Sequence, residues 1–238
     1  MSLTHRVDIE ASFLVHARPY RETSQILEVL TQHHGRIGLV AKGSRRPKSK
    51  LRGILQPFQP LRVSWSGRGS LYTLRAAEPA APIARLRGTP LMAGFYLNEL
   101  ILVFMGRGDP HPDLFAHYTA ALADLGRGEP SEPVLRRFEL SLLAEVGYGM
   151  IVDQDVANGT PLQANRRYEY VMDRGPVPVA DDHAGALVFS GAQLLAIRNG
   201  EFDGSEQIKC AKRLMRAVLD HHLDGRPLKT RRVFSAMT

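Results

Sequence analysis

The sequence predicts an α+β chain of two modules: a small five-stranded β-barrel over residues 1–80, then a helical module over 81–238 that carries a loop-rich excursion at about 147–189. Five short segments rich in branched, leucine and aromatic residues, parted by turn formers, fill the first eighty positions. Helical periodicity begins only after "AAEPAAP" and lapses again after Gly147. Charge divides at the same place: residues 1–80 hold 13 Lys and Arg against 5 Asp and Glu, a balance of +8, while the remaining 158 hold 18 against 19, a balance of −1.

The expected strands are "IEASFLVHA" (9–17), "SQILEVLT" (24–31), "GRIGLVAKG" (35–43), "PLRVSWSG" (60–67) and "SLYTLRAAE" (70–78). Alternation is clearest in the fourth, where Leu61, Val63 and Trp65 share one face. Trp65 is therefore assigned to the core, with base stacking as its alternative role. "SGRGS" (66–70) supplies the glycines of a tight hairpin.

Beyond the barrel, 90–105 opens on Pro90 and stays mostly apolar, which predicts a helix buried on most sides. Residues 111–125 place Leu114, Tyr118, Ala121, Leu122 and Leu125 at helical spacing, with Gly126 as the stop. The next helix, 131–146, takes Ser131 as its cap and Leu135, Phe138, Leu142 and Val146 as its apolar stripe. In the excursion only 166–172 and 186–190 read as strands. Helices return at 190–200 and 205–223, the latter capped by Ser205 and stopped by Gly225.

Composition narrows the function. With 44% hydrophobic and 23% charged residues the chain is an ordinary folded protein. No window approaches the roughly 18 consecutive apolar residues of a membrane helix, and charge interrupts the N-terminus before any leader core, so the expected location is cytoplasmic, with no membrane partner. Cys210 is the only cysteine, which rules out an internal disulfide and a multi-cysteine metal site. Basic neighbours Lys209, Lys212 and Arg213 flank it, but its mid-helix position predicts a structural thiol. His33–His34 and His221–His222 are adjacent pairs, and adjacent residues share neither a helix nor a strand face, so a packing or surface role is expected. No phosphate loop, nucleophile elbow or zinc-protease motif is present; "GRGDPHP" and "GRGEP" read as turns. No enzymatic chemistry and no cofactor are predicted.

The sharpest feature is "VAKGSRRPKSKLRG" (40–53), in which Lys42, Arg45, Arg46, Lys48, Lys50 and Arg52 occur without one acidic residue. Surfaces built for solubility intersperse both signs, whereas a block of like charge marks an interaction arm. Arg18, Tyr20 and Arg21 in the first turn and Arg68 in "SGRGS" add to it. Cations for phosphates and a ring for bases are what a groove for single-stranded nucleic acid requires, and Tyr20 is the stacking candidate. On the last helix Lys209, Lys212, Arg213 and Arg216 form a second basic stripe, which by itself reads as a solvated face.

"HARPYRETSQILEVLTQHHGRIGLVAKGSRR", "LQPFQPL", "GRGSLYTLRAAE", "LRRFELSLLAEVGYG" and "GRPLKTRRVF" together resemble the RecO family of bacterial recombination mediators, in order and over most of the chain. The resemblance implies an oligonucleotide-binding (OB) barrel followed by a helical module. It further implies binding of single- and double-stranded DNA, strand annealing, contact with the acidic tail of the single-strand-binding protein SSB, and work with RecR that leads indirectly to RecA loading. Many relatives bind zinc through four cysteines in the excursion; this chain has none there, so packing and hydrogen bonds must hold the segment, which is expected to be the less ordered part. An SSB tail ends in an apolar side chain and a carboxylate, so its receptor needs an apolar pocket rimmed by cations. Arg136, Arg137, Lys209, Lys212, Arg213 and Arg216 are the candidate rim, and Leu140, Leu143 and Met215 the pocket. The competing readings are a structural RNA-binding or ribosome-associated OB protein, and an accessory domain of a nuclease or ligase.

Overall fold

In the computed structural model, which describes residues 5–82, 86–231 and 233, the chain begins with β1 (His5–Tyr20), β2 (Ser24–Thr31) and β3 (Gly35–Ala41). A short helix α1 (Leu51–Ile54) precedes β4 (Pro60–Gly67) and β5 (Leu71–Pro79). These strands close into a barrel of order β1-β2-β3-β5-β4, with the β3–β5 pair parallel and the others antiparallel. The expected OB-type barrel is present. β1 is longer than the alternation predicted because one strand serves two neighbours. Its first half pairs with β4 and its second with β2, and register shifts at Val7/Glu10 and Leu14/His16 bend it between them. Leu27, Val29, Ile37, Leu39, Leu61, Val63 and Trp65 fill the interior, so Trp65 is a core residue as its alternation predicted.

Helices α2 (Thr89–Phe104) and α3 (Pro112–Arg127) follow. Buried Tyr118 of α3 donates its hydroxyl to Asn98 Oδ1 of α2 at 2.5 Å, and Asn98 Nδ2 donates to Val15 O of β1 at 3.0 Å. Gly126 does not stop α3. The left-handed Gly128 two residues on (φ 86) gives the helix end a better cap, its amide bonding Leu125 O while Glu129 N bonds Asp124 O.

The described residues form two compact units, one up to Glu129 together with the segment from Lys229 on, the other Pro130–Leu228. Thus α2 and α3 belong with the barrel's unit, and the compact units divide later in the chain than residue 80. In the second unit α4 (Ser131–Glu145) packs on α6 (Ser205–His222), and α5 (Gly191–Asn199) also meets α6. Neither Ser131 nor Ser205 caps its helix. Each is the first residue inside, behind Pro130 and Gly204, where a hydroxyl cannot reach the free amides of the turn. Among the described helices only α5 carries the full box, Ser190 and Gln193 bonding each other's backbone.

The excursion folds into two small sheets. β6 (Gln154–Asp155) pairs with β7 (Thr160–Pro161), and β8 (Arg167–Val171) lies between β9 (Gly175–Pro178) and β10 (Val188–Ser190). Tyr168, Tyr170 and Phe189 are buried beneath it. Burial works against the charge of Asp155, but hydrogen bonds from Asn158 and Ala157 hold its carboxyl below the usual range. Burial likewise pushes the Cys210 thiol up, in keeping with a structural role. No described helix is long and apolar enough to cross a membrane. The "GRPLKTRRVF" match extends onto Arg232 and Phe234, which lie outside the described residues.

Candidate nucleic-acid interface

The basic block is neither strand nor free loop. β3 ends at Ala41, Gly43 turns the chain with φ +67, and successive turns bonded Arg46 N to Gly43 O and Ser49 N to Arg46 O lead into α1. Buried Ser44 anchors the turn, donating to Gln25 Oε1 of β2 and Ala41 O. The anchor leaves Lys42, Arg45, Arg46, Lys48, Lys50 and Arg52 exposed. Among the described residues none of these six forms an ion pair.

The first turn, between β1 and β2, sits against this block. Arg45 N bonds Thr23 O at 2.9 Å, and the Arg45 guanidinium leans on Arg21 O and Glu22 O. Together the two turns enclose a groove of ≈ 480 Å³ lined by Tyr20, Arg21, Thr23, Ser24, Val40, Lys42, Gly43, Arg46 and Thr73. Tyr20 is half-buried, with the Arg21 guanidinium over its ring 5.2 Å from the ring centre, so an aromatic plane and a cation stand side by side at the groove. Four predicted residues, Tyr20, Arg21, Lys42 and Arg46, thus line one groove. Exposed Arg18, Arg45, Lys48, Lys50 and Arg52 are not among its lining, and Arg68 is exposed on the β4–β5 hairpin.

At the start of β3 lies a second groove, of ≈ 400 Å³, lined by His33, His34, Arg36, Ile37, Trp65, Ser70, Tyr72, Arg107, Gly108 and Pro110. The "GRGDP" segment is more than a turn. It lays Arg107 along the barrel, where Arg107 and Arg36 both bind Glu28 of β2, Arg36 Nη1 at 2.7 Å from Glu28 Oε2. Arg36 also donates to Met105 O, and Gly108 N to Arg36 O. Gly35 admits this segment, since a Cβ there, at φ +65, would stand 2.1 Å from Asp109 O. Sequence reasoning missed Glu28, Arg36 and Arg107, whose partnership spans 79 residues between Glu28 and Arg107. His33, whose side chain is exposed, donates its amide to Glu10 Oε1 at 2.7 Å, and His34 packs edge-on to Trp65 at 5.2 Å.

In the second unit the predicted tail-binding residues divide. Arg136 is buried and pairs with Glu139 at 2.8 Å, and Leu143 and Met215 are core residues, so these three line no open pocket. For Arg136 and Leu143 periodicity did not reveal this because α4 is buried over a wide arc, and Met215 lies on the apolar stripe of α6. Leu140 is half-buried, and Arg137 is exposed, its stem 3.7 Å from the Cβ position of Gly200. On α6 all four cations are exposed, with local partners: Lys209 pairs with Glu206, Lys212 with Glu132 of α4 at 2.6 Å, and Arg216 with Asp220. Arg213 stacks 4.3 Å over Phe189 and donates to Val188 O.

Comparison with known proteins covers nearly the whole chain. Residues 9–83 match the model of the recombination protein O N terminal domain, and residues 85–232 that of its C terminal domain. The chain is 44% identical over 237 residues to the DNA repair protein RecO of Aromatoleum aromaticum, covering 100% of this chain and 99% of that one. It is 47% identical over 229 residues to the DNA repair protein RecO of Methylococcus capsulatus, covering 96% of this chain and 93% of that one.

Proposed function

The chain belongs to the recombination protein O family of DNA repair proteins, and on that premise we propose that it is a non-enzymatic mediator that binds and anneals single-stranded DNA, contacts SSB and, with RecR, prepares strands for RecA. The observation that carries the DNA-binding part is the groove in which Tyr20, Arg21, Lys42 and Arg46 converge beside the exposed remainder of the basic block. OB barrels take oligonucleotides on the face of their second and third strands and the adjoining turns, and this groove lies there.

Phosphates displace condensed counterions as they meet Lys and Arg, so binding draws its free energy from released salt and gains no sequence preference from it. Tyr20 supplies a stacking surface that tolerates any base. Such contacts hold a strand extended with its pairing edges free, the state in which a complementary strand can anneal. Contact with SSB would fall to the exposed cations Arg137, Lys209, Lys212, Arg213 and Arg216, which suit an acidic peptide; Arg136 is consumed by Glu139.

The test is a titration of a fluorescent single-stranded oligonucleotide at several salt concentrations. If about four cations meet phosphates, log affinity falls with log salt at a slope of about −3. Replacing Arg45, Arg46, Lys48 and Lys50 together by Ala should weaken binding and flatten that slope. An unchanged slope in a variant of unaltered circular dichroism would overturn the assignment.

A further inference from the structure

We infer that Asp173, His221 and His222 form a binding site for a divalent transition-metal ion that prefers nitrogen and oxygen donors, such as zinc or nickel. Asp173 stands in the turn between β8 and β9, and the two histidines are the last residues of α6. Each residue offers one ligand atom, and the three atoms lie within 4.8 Å of one another, a grouping not repeated among the described residues. Two adjacent histidines make no chelate on a helix by themselves. A carboxylate from 48 residues earlier in the chain completes the set.

Several contacts hold these groups near one another. His221 Nε2 lies 2.7 Å from Asp173 Oδ2; a carboxylate only accepts, so the imidazole N–H donates, and the bond fixes the ring's direction. Asp173 reaches this place from a left-handed backbone conformation, φ 60. The His222 ring stacks on Tyr148, with centroids 4.1 Å apart and planes 16° from parallel.

Two donors each about 2.1 Å from one ion stand at most about 4.2 Å apart, so small rotations of the exposed Asp173 and His221 side chains would close the site. On closing, the proton that His221 Nε2 shares with Asp173 moves to Nδ1 or to solvent. Two imidazoles and one carboxylate suit zinc, nickel, cobalt or copper, whereas magnesium and calcium require more oxygen donors than this cluster holds. A bound ion would tie the β8–β9 turn to the end of α6.

The experiment is calorimetric titration of the tag-free full chain, stripped with a chelator, with zinc and separately with nickel in a non-coordinating buffer. One ion per chain is expected, with affinity falling about tenfold or more in Asp173→Asn and in His221→Ala. The His33→Ala/His34→Ala double variant should bind as the parent does, and magnesium should give no heat. Asn tolerates the left-handed conformation of position 173, so Asp173→Asn removes the charge and leaves the turn intact, and circular dichroism of each variant verifies its fold. Parental affinity in Asp173→Asn would reveal an adventitious histidine contact and overturn the site, as would loss of binding in the His33/His34 variant or no heat with either ion.

Discussion

Replacing Arg136 by Ala should destabilise the second unit severely, although a basic residue in "LRRFELSLL" looks expendable. The Arg136 side chain is 6% exposed and that of its partner Glu139 0%, with Nη2 and Oε1 2.8 Å apart one turn along α4. Removing one member of such a pair takes the ion-pair partner from a charge in a site from which water is excluded, a change that costs up to about 3–5 kcal/mol. Glu132, which stands 3.9 Å from Arg136 Nε, is 40% exposed and already serves Lys212, is itself a carboxylate and cannot replace the lost cation; its own pairing with Arg136, being exposed, contributes about 0–1 kcal/mol. The loss is a large share of the roughly 5–15 kcal/mol that stabilises a folded domain. Urea unfolding followed by far-ultraviolet circular dichroism measures it, with Arg137→Ala, exposed on the same helix, changing little. Replacing both partners, Arg136→Met with Glu139→Leu, should return most of the stability, since the pair's charges then vanish together. An Arg136→Ala variant within about 1 kcal/mol of the parent would refute the reasoning, for it would mean that water or another group reaches Glu139 at little cost.

Two predictions concern binding. Glu28→Gln releases Arg36 and Arg107 from their shared carboxylate, so single-strand affinity should rise and its salt slope steepen by about 0.7 for each phosphate gained; weaker binding with the parental slope would show that the three residues serve only the barrel's stability. Arg213→Glu with Arg216→Glu should weaken an SSB tail peptide by about 2 kcal/mol or more in calorimetry while bare-strand affinity holds, and parental tail affinity would remove α6 from the receptor.

The barrel was legible because its information is local. Alternation in β4 sorted Leu61, Val63 and Trp65 from Arg62 and Ser64 without reference to any other strand, and the turn formers bounded each segment. Cap positions were less legible: Ser131 and Ser205 stand one residue inside their helices, and the difference between capping a helix and beginning it depends on backbone angles at Pro130 and Gly204 that composition does not determine. The same limit misplaced the end of α3, where two glycines competed and only Gly128 takes the left-handed conformation.

Charge was legible as an amount and not as an arrangement. The excess of the first eighty residues counts Arg36 with Lys42 and Arg46, yet Arg36 is spent on Glu28 while the others stand exposed. Arg107 lies beyond those eighty residues and still joins the barrel's electrostatics, through a segment whose sequence, a glycine on either side of an arginine, signals only a turn. What separates the two fates is distance to a carboxylate across the sheet. Glu28 lies opposite Gly38 in the ladder, and the missing side chain there leaves room for the Arg107 guanidinium, whose carbon would stand 3.1 Å from a Cβ at that position. Arg36 and Arg107 are therefore held by an internal acid, whereas the six cations of the basic block stand exposed and form no ion pair among the described residues.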